Sequence, residues 1–305
     1  MPNTALHQSH STETDFHFDI STYFLCKEVL KGKDRRLALT LRDVIADTFF
    51  STGLPVVDLL DVGGGDGSFI ERVLRDVHEI AIESRLDCIE PDPDCYNILM
   101  RSKPTLGALG ADVKFFNSRV EDFLESGERP DGYHVVMFTH LLYHIERKHW
   151  PALIRRALGR LKDNGRLIVI MVSRKSQIYR LWDRIEETCG TDGVRRNIDM
   201  QRHGAWVFSE DLQVALDDAG IRYSKEYVGG PIVFRQTRLK EDRMFIAEEA
   251  PEKTNLARFL AFMFRTTPAD VARCLYDEIR EYSCRLAPLH FQSIDGFYVI
   301  EKQEN

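Results

Sequence analysis

The chain has 305 residues, of which 43% are hydrophobic, and this is enough for one large core with an accessory subdomain. Its 48 acidic and 41 basic side chains give a net charge of −7, which argues against a nucleic-acid substrate, because such a partner requires a basic surface. No signal peptide and no apolar run of membrane-spanning length occur, and the six cysteines are scattered without a C-x-x-C motif. We therefore expect a soluble, cytoplasmic protein that binds neither nucleic acid nor membrane.

The first part of the chain is predicted to be a disordered tail followed by a helical cap. Residues 1–17 are polar and lack periodicity, as is typical of disorder. Residues 18–50 carry apolar side chains at helical spacing and include the densest basic run of the chain, Lys31 to Arg36. We expect this helical segment to lie over the sheet edge and a ligand pocket.

A glycine-rich turn joins the first predicted strand to a helix. The strand, Val56–Val62, runs into Gly63, Gly65 and Gly67, and apolar residues at helical spacing follow. Glycine permits positive φ and close approach of a ligand, and a helix start offers unpaired N–H groups. A dinucleotide motif would need glycine at Ser68 and a P-loop would need a lysine, so neither fits. A nucleotide-like cofactor site is predicted; a turn that only packs helix on strand is the alternative.

The segment Asp61 to Gly67, D-x-G-x-G-x-G, resembles the first motif of the class I S-adenosylmethionine (AdoMet) methyltransferases. The resemblance implies S-adenosyl-L-methionine as the cofactor. It also implies that Asp61 and the three alternating glycines form part of the cofactor site.

A carboxylate follows the second predicted strand, Asp87–Ile89. Glu90 leaves this strand directly, and Pro91 fixes the chain behind it. A carboxylate at this place can accept hydrogen bonds from both ribose hydroxyls, so Glu90 is predicted to bind the ribose. Asp92 and Asp94 are expected at a helix N-terminus, where acidic side chains are favourable.

The third strand, Val113–Phe116, precedes two further acids, Glu121 and Asp122. The resemblance implies that a polar or acidic residue here meets the adenine amino group, and either acid could do so; solvated loop acids are the alternative. Thr139, directly after the fourth strand, His134–Phe138, completes the predicted cofactor-binding set.

The remaining elements alternate as a doubly wound fold requires. Arg166–Val172 is a nearly continuous apolar run, typical of a strand buried on both faces. The other predicted elements are helices over Trp150–Leu161 and Ser209–Ala219 and strands over Ile221–Val228 and Phe297–Glu301. Together they predict an α/β protein with a mostly parallel, doubly wound sheet. The resemblance implies the Rossmann-like, seven-stranded sheet of the class I methyltransferases.

A helical insertion is predicted before the last strand. Leu256–Phe264 is apolar with helical spacing, and Thr267-Pro268 opens a second helix that reaches about Cys284. We assign residues 51–231 and 294–305 to the AdoMet-binding core. Residues 232–293 are assigned to the insertion, which is expected to form part of the acceptor pocket.

Several segments are similar to histamine N-methyltransferase and its relatives: Glu90-Pro91, Leu141–Ile145, Met171–Ser173 with Leu181-Trp182, and Phe297–Glu301. That family binds histamine through a glutamate, a glutamine and an asparagine. These fall near Asp34 or Arg35, on His140 and on Ser293, so the residue types differ and histamine is not implied as the acceptor. The resemblance places Arg35, His140 and Ser293 at the acceptor site. An arginine there would suit a carboxylate, and a solvent-facing arginine is the alternative.

His140 lies at the sheet edge where doubly wound folds bind their ligands. An imidazole there could orient a nucleophile or take its proton near neutral pH, and His140 and Tyr143 are the catalytic candidates. A structural histidine is the alternative. His140 and His144 have the i, i+4 spacing of metal ligands on a helix, but no carboxylate accompanies them and no metal is predicted.

These observations predict an AdoMet-dependent methyltransferase acting on a small molecule. The favoured acceptor is the nitrogen of an amine, an imidazole or an amino-acid-like molecule. One alternative is C- or O-methylation of a small carboxylate or keto acid, and another is a non-catalytic regulatory protein of the same fold. The sequence does not predict the oligomeric state.

Overall fold

The computed structural model describes residues 20–53, 55–180, 187, 207–234, 250, 253–263, 268–284 and 289–302. The strands are β1 (Val56–Val62), β2 (Glu83–Ile89), β3 (Ala111–Phe116), β4 (Tyr133–Thr139), β5 (Leu161–Val172), β6 (Ser224–Phe234) and β7 (Leu289–Glu301). The first helices are α1 (Ile20–Thr52), α2 (Ser68–Glu79), α3 (Pro93–Arg101), α4 (Lys103–Ala108) and α5 (Val120–Glu125). The later ones are α6 (Trp150–Gly159), α7 (Ser209–Asp218), α8 (Asn255–Met263), α9 (Pro268–Cys274) and α10 (Tyr276–Cys284).

The seven strands form one sheet in the order β3-β2-β1-β4-β5-β7-β6. Strands β1 to β5 pair in parallel, whereas β7 runs antiparallel to both β5 and β6. The order reverses between β1 and β4, which is where doubly wound sheets bind ligands at the carboxyl ends of the strands. The predicted α/β fold with a mostly parallel seven-stranded sheet is confirmed.

Helices cover both faces of the sheet. On one face α1 and α2 pack against it through Leu37, Leu41 and Val73, all buried. On the other face α5, α6 and α7 contribute buried side chains such as Phe123 and Trp150. Burial on both faces accounts for the continuous apolar runs of the central strands. No helix in the described ranges is both long and apolar enough to cross a membrane.

The last two strands are longer than the sequence predicts. Strand β6 begins at Ser224 and reaches Phe234, and β7 begins at Leu289, so both extend into the predicted insertion of residues 232–293. Their pairing, Ile232 with Phe291, continues the ladder past Gly229-Gly230-Pro231, a sequence that reads locally as a turn. The described helices of the insertion are α8, α9 and α10. The predicted tail 1–17, Trp182 and Thr267 lie outside the described residues.

The N-terminal half of α1 lies unusually close to β6. A Cβ atom added to Gly230 would lie 2.5 Å from Cα of Lys33, and one added to Gly32 would lie 3.0 Å from the carbonyl oxygen of Pro231. Real Cβ atoms essentially never come within 2.5 Å of a backbone atom, so the crossing requires glycine at position 230, and at Gly32 a Cβ atom would be in a tight contact. The helix is thereby held directly against the sheet.

Cys274, in α9, is disulfide-bonded, whereas Cys26 and Cys88 are buried free thiols. The sequence analysis had not predicted a disulfide from the scattered cysteines. Spacing along the chain could not predict the bond, because a disulfide depends on how closely two Cα atoms approach in the fold.

A buried ionic cluster lies at the amino ends of the strands. Asp58 of β1, whose side chain is buried, accepts hydrogen bonds from Arg129 at 2.7 Å, from Arg85 at 2.9 Å and from Lys162. Arg129 also forms a bidentate pair with Asp87, at 2.8 and 3.0 Å. Burial raises the pKa of Asp58, but the hydrogen bonds and charges of Lys162 and Arg85 outweigh it and hold that pKa below its ordinary value.

Asp58→Asn should lower the free energy of unfolding by about 3 kcal/mol, because it removes one partner of buried ion pairs and leaves the others uncompensated. The matched control is Asp163→Asn, whose salt bridge to Lys302 is exposed and should be worth no more than ~1 kcal/mol. Urea unfolding of both variants measures the difference. Since the folded pKa of Asp58 is depressed, its contribution should vanish in the wild type as the pH falls below about 4. Equal, small losses in the two variants would contradict this account.

Candidate functional site

The glycine turn after β1 has the backbone conformation that the sequence predicts. Gly63, Gly65 and Gly67 all have positive φ, of 74°, 56° and 78°. The N–H groups of Gly63 and Gly64 donate to the carbonyl oxygen of Ile89 at 2.9 and 3.0 Å, which fixes the turn to the end of β2. A Cβ at Gly65 would meet nothing within 4 Å, so its face of the turn is open to a ligand.

Glu90 is fixed beside this turn. Its side chain is largely buried; Oε2 accepts the N–H of Gly65 at 2.8 Å and Oε1 accepts the N–H of Asp92 at 2.9 Å. Burial raises the pKa of Glu90 above its ordinary value, against the lowering effect of these two hydrogen bonds. Each carboxylate oxygen can accept a second hydrogen bond, so the carboxylate retains acceptor capacity for the hydroxyls of a ribose.

Asp61 lies within the sheet just before the turn, where its side chain is 4% exposed. Burial, with a smaller contribution from the charge of Glu90, raises the pKa of Asp61 to about 7. The group is therefore near its titration midpoint at neutral pH, unlike an ordinary aspartate. This perturbation marks the end of β1 as electrostatically unusual.

The other predicted cofactor residues surround the same edge of the sheet. Thr139 ends β4, and its Oγ1 is buried with no hydrogen-bond partner among the described residues. Glu121 and Asp122 lie in the first turn of α5, Glu121 half-buried and Asp122 exposed. Their contact with adenine stays a prediction. An orphaned hydroxyl, an open glycine turn and a fixed carboxylate together fit a ligand with ribose and amino-acid portions.

Helix α1 covers the turn from the other side. Lys27 forms a salt bridge of 3.1 Å with Asp66, whose carboxylate also accepts hydrogen bonds from the N–H and hydroxyl groups of Ser68. Lys33 lies six residues further along α1, roughly 9 Å in helical rise. Helix α1, the predicted cap, thus extends from the glycine turn, which Lys27 contacts, to His140, which Lys33 contacts.

His140 begins the loop after β4 in a left-handed conformation, with φ of 54°. Its N–H donates to Ile170 at 2.9 Å. Its Nε2 lies 3.3 Å from Nζ of Lys33, and its Nδ1 lies 3.4 Å from the hydroxyl of Tyr143, against which the ring stacks. Burial first, then the charges of Lys33 and Lys27, hold the pKa of His140 well below its ordinary value. The imidazole is therefore neutral at physiological pH.

A deeply buried ion pair of the site was missed by the sequence analysis. Lys33 is 4% exposed and its ammonium lies 3.0 and 3.3 Å from the two carboxylate oxygens of Asp295, which is fully buried. Burial raises the pKa of Asp295 against the lowering effect of Lys33. No local sequence signal distinguishes either residue. Lys33 is one of several basic residues in a run that has the composition of an exposed surface, and Asp295 lies between the predicted insertion and the predicted last strand.

Two predicted acceptor residues have different environments. Arg35 is exposed, because it lies about 200° around α1 from Lys33, which faces inward. Ser293, in β7, is buried, and its hydroxyl accepts a hydrogen bond from Ser176 at 3.3 Å. Ser293 and Asp295 share one face of the strand, since side chains alternate. Acceptor contacts of Arg35 and Ser293 stay predictions.

His144 does not pair with His140 as the i, i+4 spacing suggested. The segment is a 3₁₀ turn over Leu142–His144, preceded by the left-handed His140, and His144 is exposed. Tyr143 instead faces inward, where its hydroxyl accepts the N–H of Val172 at 2.5 Å. No group of three metal-ligating side chains occurs in the part of the chain that the structure describes.

Comparison with known proteins identifies the family. Residues 31–225, well over half of the chain, match a family described as "Methyltransferase domain". The human N-terminal Xaa-Pro-Lys N-methyltransferase 1 is 26% identical over 165 residues, which are 52% of this chain and 66% of that protein, just under two thirds of its length.

Two solved structures are similar over most of their length. Magnesium protoporphyrin IX methyltransferase from Synechocystis PCC 6803, with bound SAH, has a TM-score of 0.49 and 11% identity, with 93% of this chain and 95% of that chain covered. The plantazolicin methyltransferase BamL, in complex with a triazolic desmethylPZN analog and SAH, has a TM-score of 0.47 and 13% identity, with 93% and 90% covered.

The family assignment depends on the sequence match, which includes the glycine turn and Glu90, and on the sheet topology described above. The narrower resemblance to histamine N-methyltransferases stays a prediction. The chain belongs to the methyltransferase-domain family and is an AdoMet-dependent methyltransferase with the class I fold.

Proposed function

We propose that the protein methylates a nitrogen atom of a small amine, imidazole or amino-acid-like acceptor. The observation that carries the proposal is the state of His140: a neutral imidazole whose Nε2 is occupied by the Lys33 ammonium. A hydroxyl or carbon acceptor needs a base strong enough to remove its proton, and His140 is poorly disposed to supply one. A deprotonated amine or imidazole already carries a reactive lone pair.

Bound AdoMet would supply an electrophilic methyl group on a sulfonium. Glu90 would hold the ribose through its remaining lone pairs, and the open face of Gly65 would admit the cofactor close to the main chain. Thr139 would supply a hydroxyl partner at the end of β4. The task left to the chain is alignment of the acceptor and exclusion of water, which together supply most of the rate enhancement that such a transfer needs.

The acceptor is proposed to lie between the sheet edge, α1 and the insertion. Buried residues of α1, such as Val29, share an apolar cluster with Phe259 of α8 and with Phe291 of β7, and Tyr143 packs against the same cluster. This apolar wall lies beside the polar group formed by His140, Lys33 and Asp295. Such a combination of apolar lining and few polar groups suits a small molecule. The named activity of the human relative, an N-methyltransferase, also favours nitrogen.

A second candidate is C- or O-methylation of a small carboxylate or keto acid. The specific observation in its favour is the buried Lys33 ammonium, a cation in the position where the sequence analysis had expected Arg35. Asp295 already neutralises this cation, so a substrate carboxylate would have to compete with a buried partner. The nitrogen acceptor is therefore preferred.

A methyl-transfer screen distinguishes the two. The protein with AdoMet should methylate members of a panel of biogenic amines, imidazoles and amino acids, with mass spectrometry placing the added methyl group on nitrogen. A panel of α-keto acids and hydroxy acids of similar size should give no product. Product from the second panel alone would replace the first candidate by the second.

Glu90→Gln should weaken AdoMet binding by ~1.5–3 kcal/mol, or roughly 10- to 150-fold, as expected when a charged hydrogen-bond acceptor is lost. Titration calorimetry measures the affinity directly. The matched control is Asp94→Asn, an exposed acid in the next helix, which should bind AdoMet as the wild type does. If the two variants keep the same affinity, Glu90 is not a ribose ligand.

His140→Asn should raise KM for the acceptor by roughly 3- to 10-fold, the loss expected for one hydrogen bond of about 1 kcal/mol, with little change in kcat. Asparagine is chosen because it tolerates the left-handed backbone of this position. AdoMet affinity and melting temperature should be unchanged. Removal of a general base would instead lower kcat by ~10²–10⁴-fold, so steady-state kinetics separate orientation from proton transfer.

A further inference from the structure

Lys33 places a buried ammonium between a carboxylate and an imidazole. Among the described residues its nitrogen has two partners, Asp295 at 3.0 Å and Nε2 of His140 at 3.3 Å. An ammonium carries only N–H donors, so Nε2 must accept and cannot itself carry a hydrogen. In the neutral ring the remaining hydrogen is then on Nδ1.

The other side of the ring agrees with this tautomer. Nδ1 lies 3.4 Å from the hydroxyl oxygen of Tyr143, and that oxygen already accepts the N–H of Val172 at 2.5 Å. A phenol oxygen has two lone pairs and can accept both hydrogen bonds. Lys33 therefore donates to Nε2 of His140, and Nδ1–H of His140 donates to the hydroxyl oxygen of Tyr143.

We infer that Lys33, held by Asp295, is a positioning residue that fixes His140 as the neutral Nδ1–H tautomer. His140 then serves the acceptor site as an oriented, uncharged surface and not as a base. This role of His140 at the acceptor site rests on the proposed function. The tautomer itself is a property of the protein without any ligand, so it can be tested separately.

The charged groups around His140 either disfavour protonation of its ring or reach the ring only through Lys33. From α1 the ring faces Lys33 and, further off, Lys27; from the loop after β4 it faces Tyr143; and Asp295 of β7 contacts it only through Lys33. Burial and the two lysines disfavour the protonated ring. No carboxylate in the described chain contacts the imidazole directly to favour its charged form.

The fold brings Lys33 to this position by the close crossing of α1 and β6. Because Gly230 lies directly under Cα of Lys33, the lysine stem starts at the level of the sheet and its ammonium reaches Asp295. The site thus depends on a backbone contact as well as on side-chain chemistry.

The test is nitrogen-15 NMR of the histidine rings in the ligand-free protein, with the His140 signals identified by their absence in His140→Asn. In the wild type we expect the Nδ1–H pattern, unchanged as the pH falls through the ordinary histidine pKa of about 6.5. In the double variant Lys33→Met/Asp295→Asn, which removes both buried charges and leaves no unpaired ion, the Nε2–H form should become populated. The pKa of His140 should move up toward the ordinary value of about 6.5.

Lys27→Met is the matched control, because it removes the second lysine near His140 without removing the hydrogen bond to Nε2. It should leave the tautomer unchanged. A wild-type ring in the Nε2–H form, or one that titrates near pH 6.5, would overturn the inference without any variant having to fold. Failure of the methyl-transfer screen would leave the NMR result standing, so the two proposals fail independently.

Discussion

The structure depends on the parallel register of its central strands. Val62, the last residue of β1, lies opposite both Ile89 of β2 and Phe138 of β4, so the three strands end within one residue of the same level. The glycine turn and Glu90 directly follow β1 and β2, and the pair Thr139-His140 lies at the end of β4. A shift of one strand by one residue would turn its side chains to the other face and separate the groups of the site. The hydrogen bonds from Gly63 and Gly64 to Ile89 fix this level through the backbone.

The residues of the proposed cofactor half of the site could be located from the sequence because their signals are local. A buried strand, alternating glycines and a helix are contiguous, and Glu90 directly follows a second strand. The sequence did not predict that the carboxylate of Glu90 accepts hydrogen bonds from the N–H groups of Gly65 and Asp92. These bonds join segments whose approach is set by the sheet register.

The contacts of the proposed acceptor half could not be predicted, because they join residues that are distant along the chain. Lys33 and Asp295 come from opposite ends of the sequence, and only the antiparallel last strand and the crossing of α1 bring them together. The periodicity of α1 predicted a helix but did not distinguish Lys33, which faces inward, from Arg35, which faces solvent. His140 was found because it directly follows a predicted strand, although its partners were not. The end of β6 was misjudged, since Gly229-Gly230-Pro231 has the composition of a turn and here lies within a strand.

The ionic cluster around Asp58 and the residues proposed to bind ligands lie at opposite ends of β1. Four residues of extended strand separate Asp58 from Val62, roughly 13 Å, a distance beyond which substitutions usually contribute independently. On the proposed function, the ionic cluster and the positions that choose the acceptor are therefore separate sets. A directed-evolution library that diversifies residues of α1 and the insertion can accordingly be built on a background strengthened at the amino ends of the strands, with little interference between the two sets.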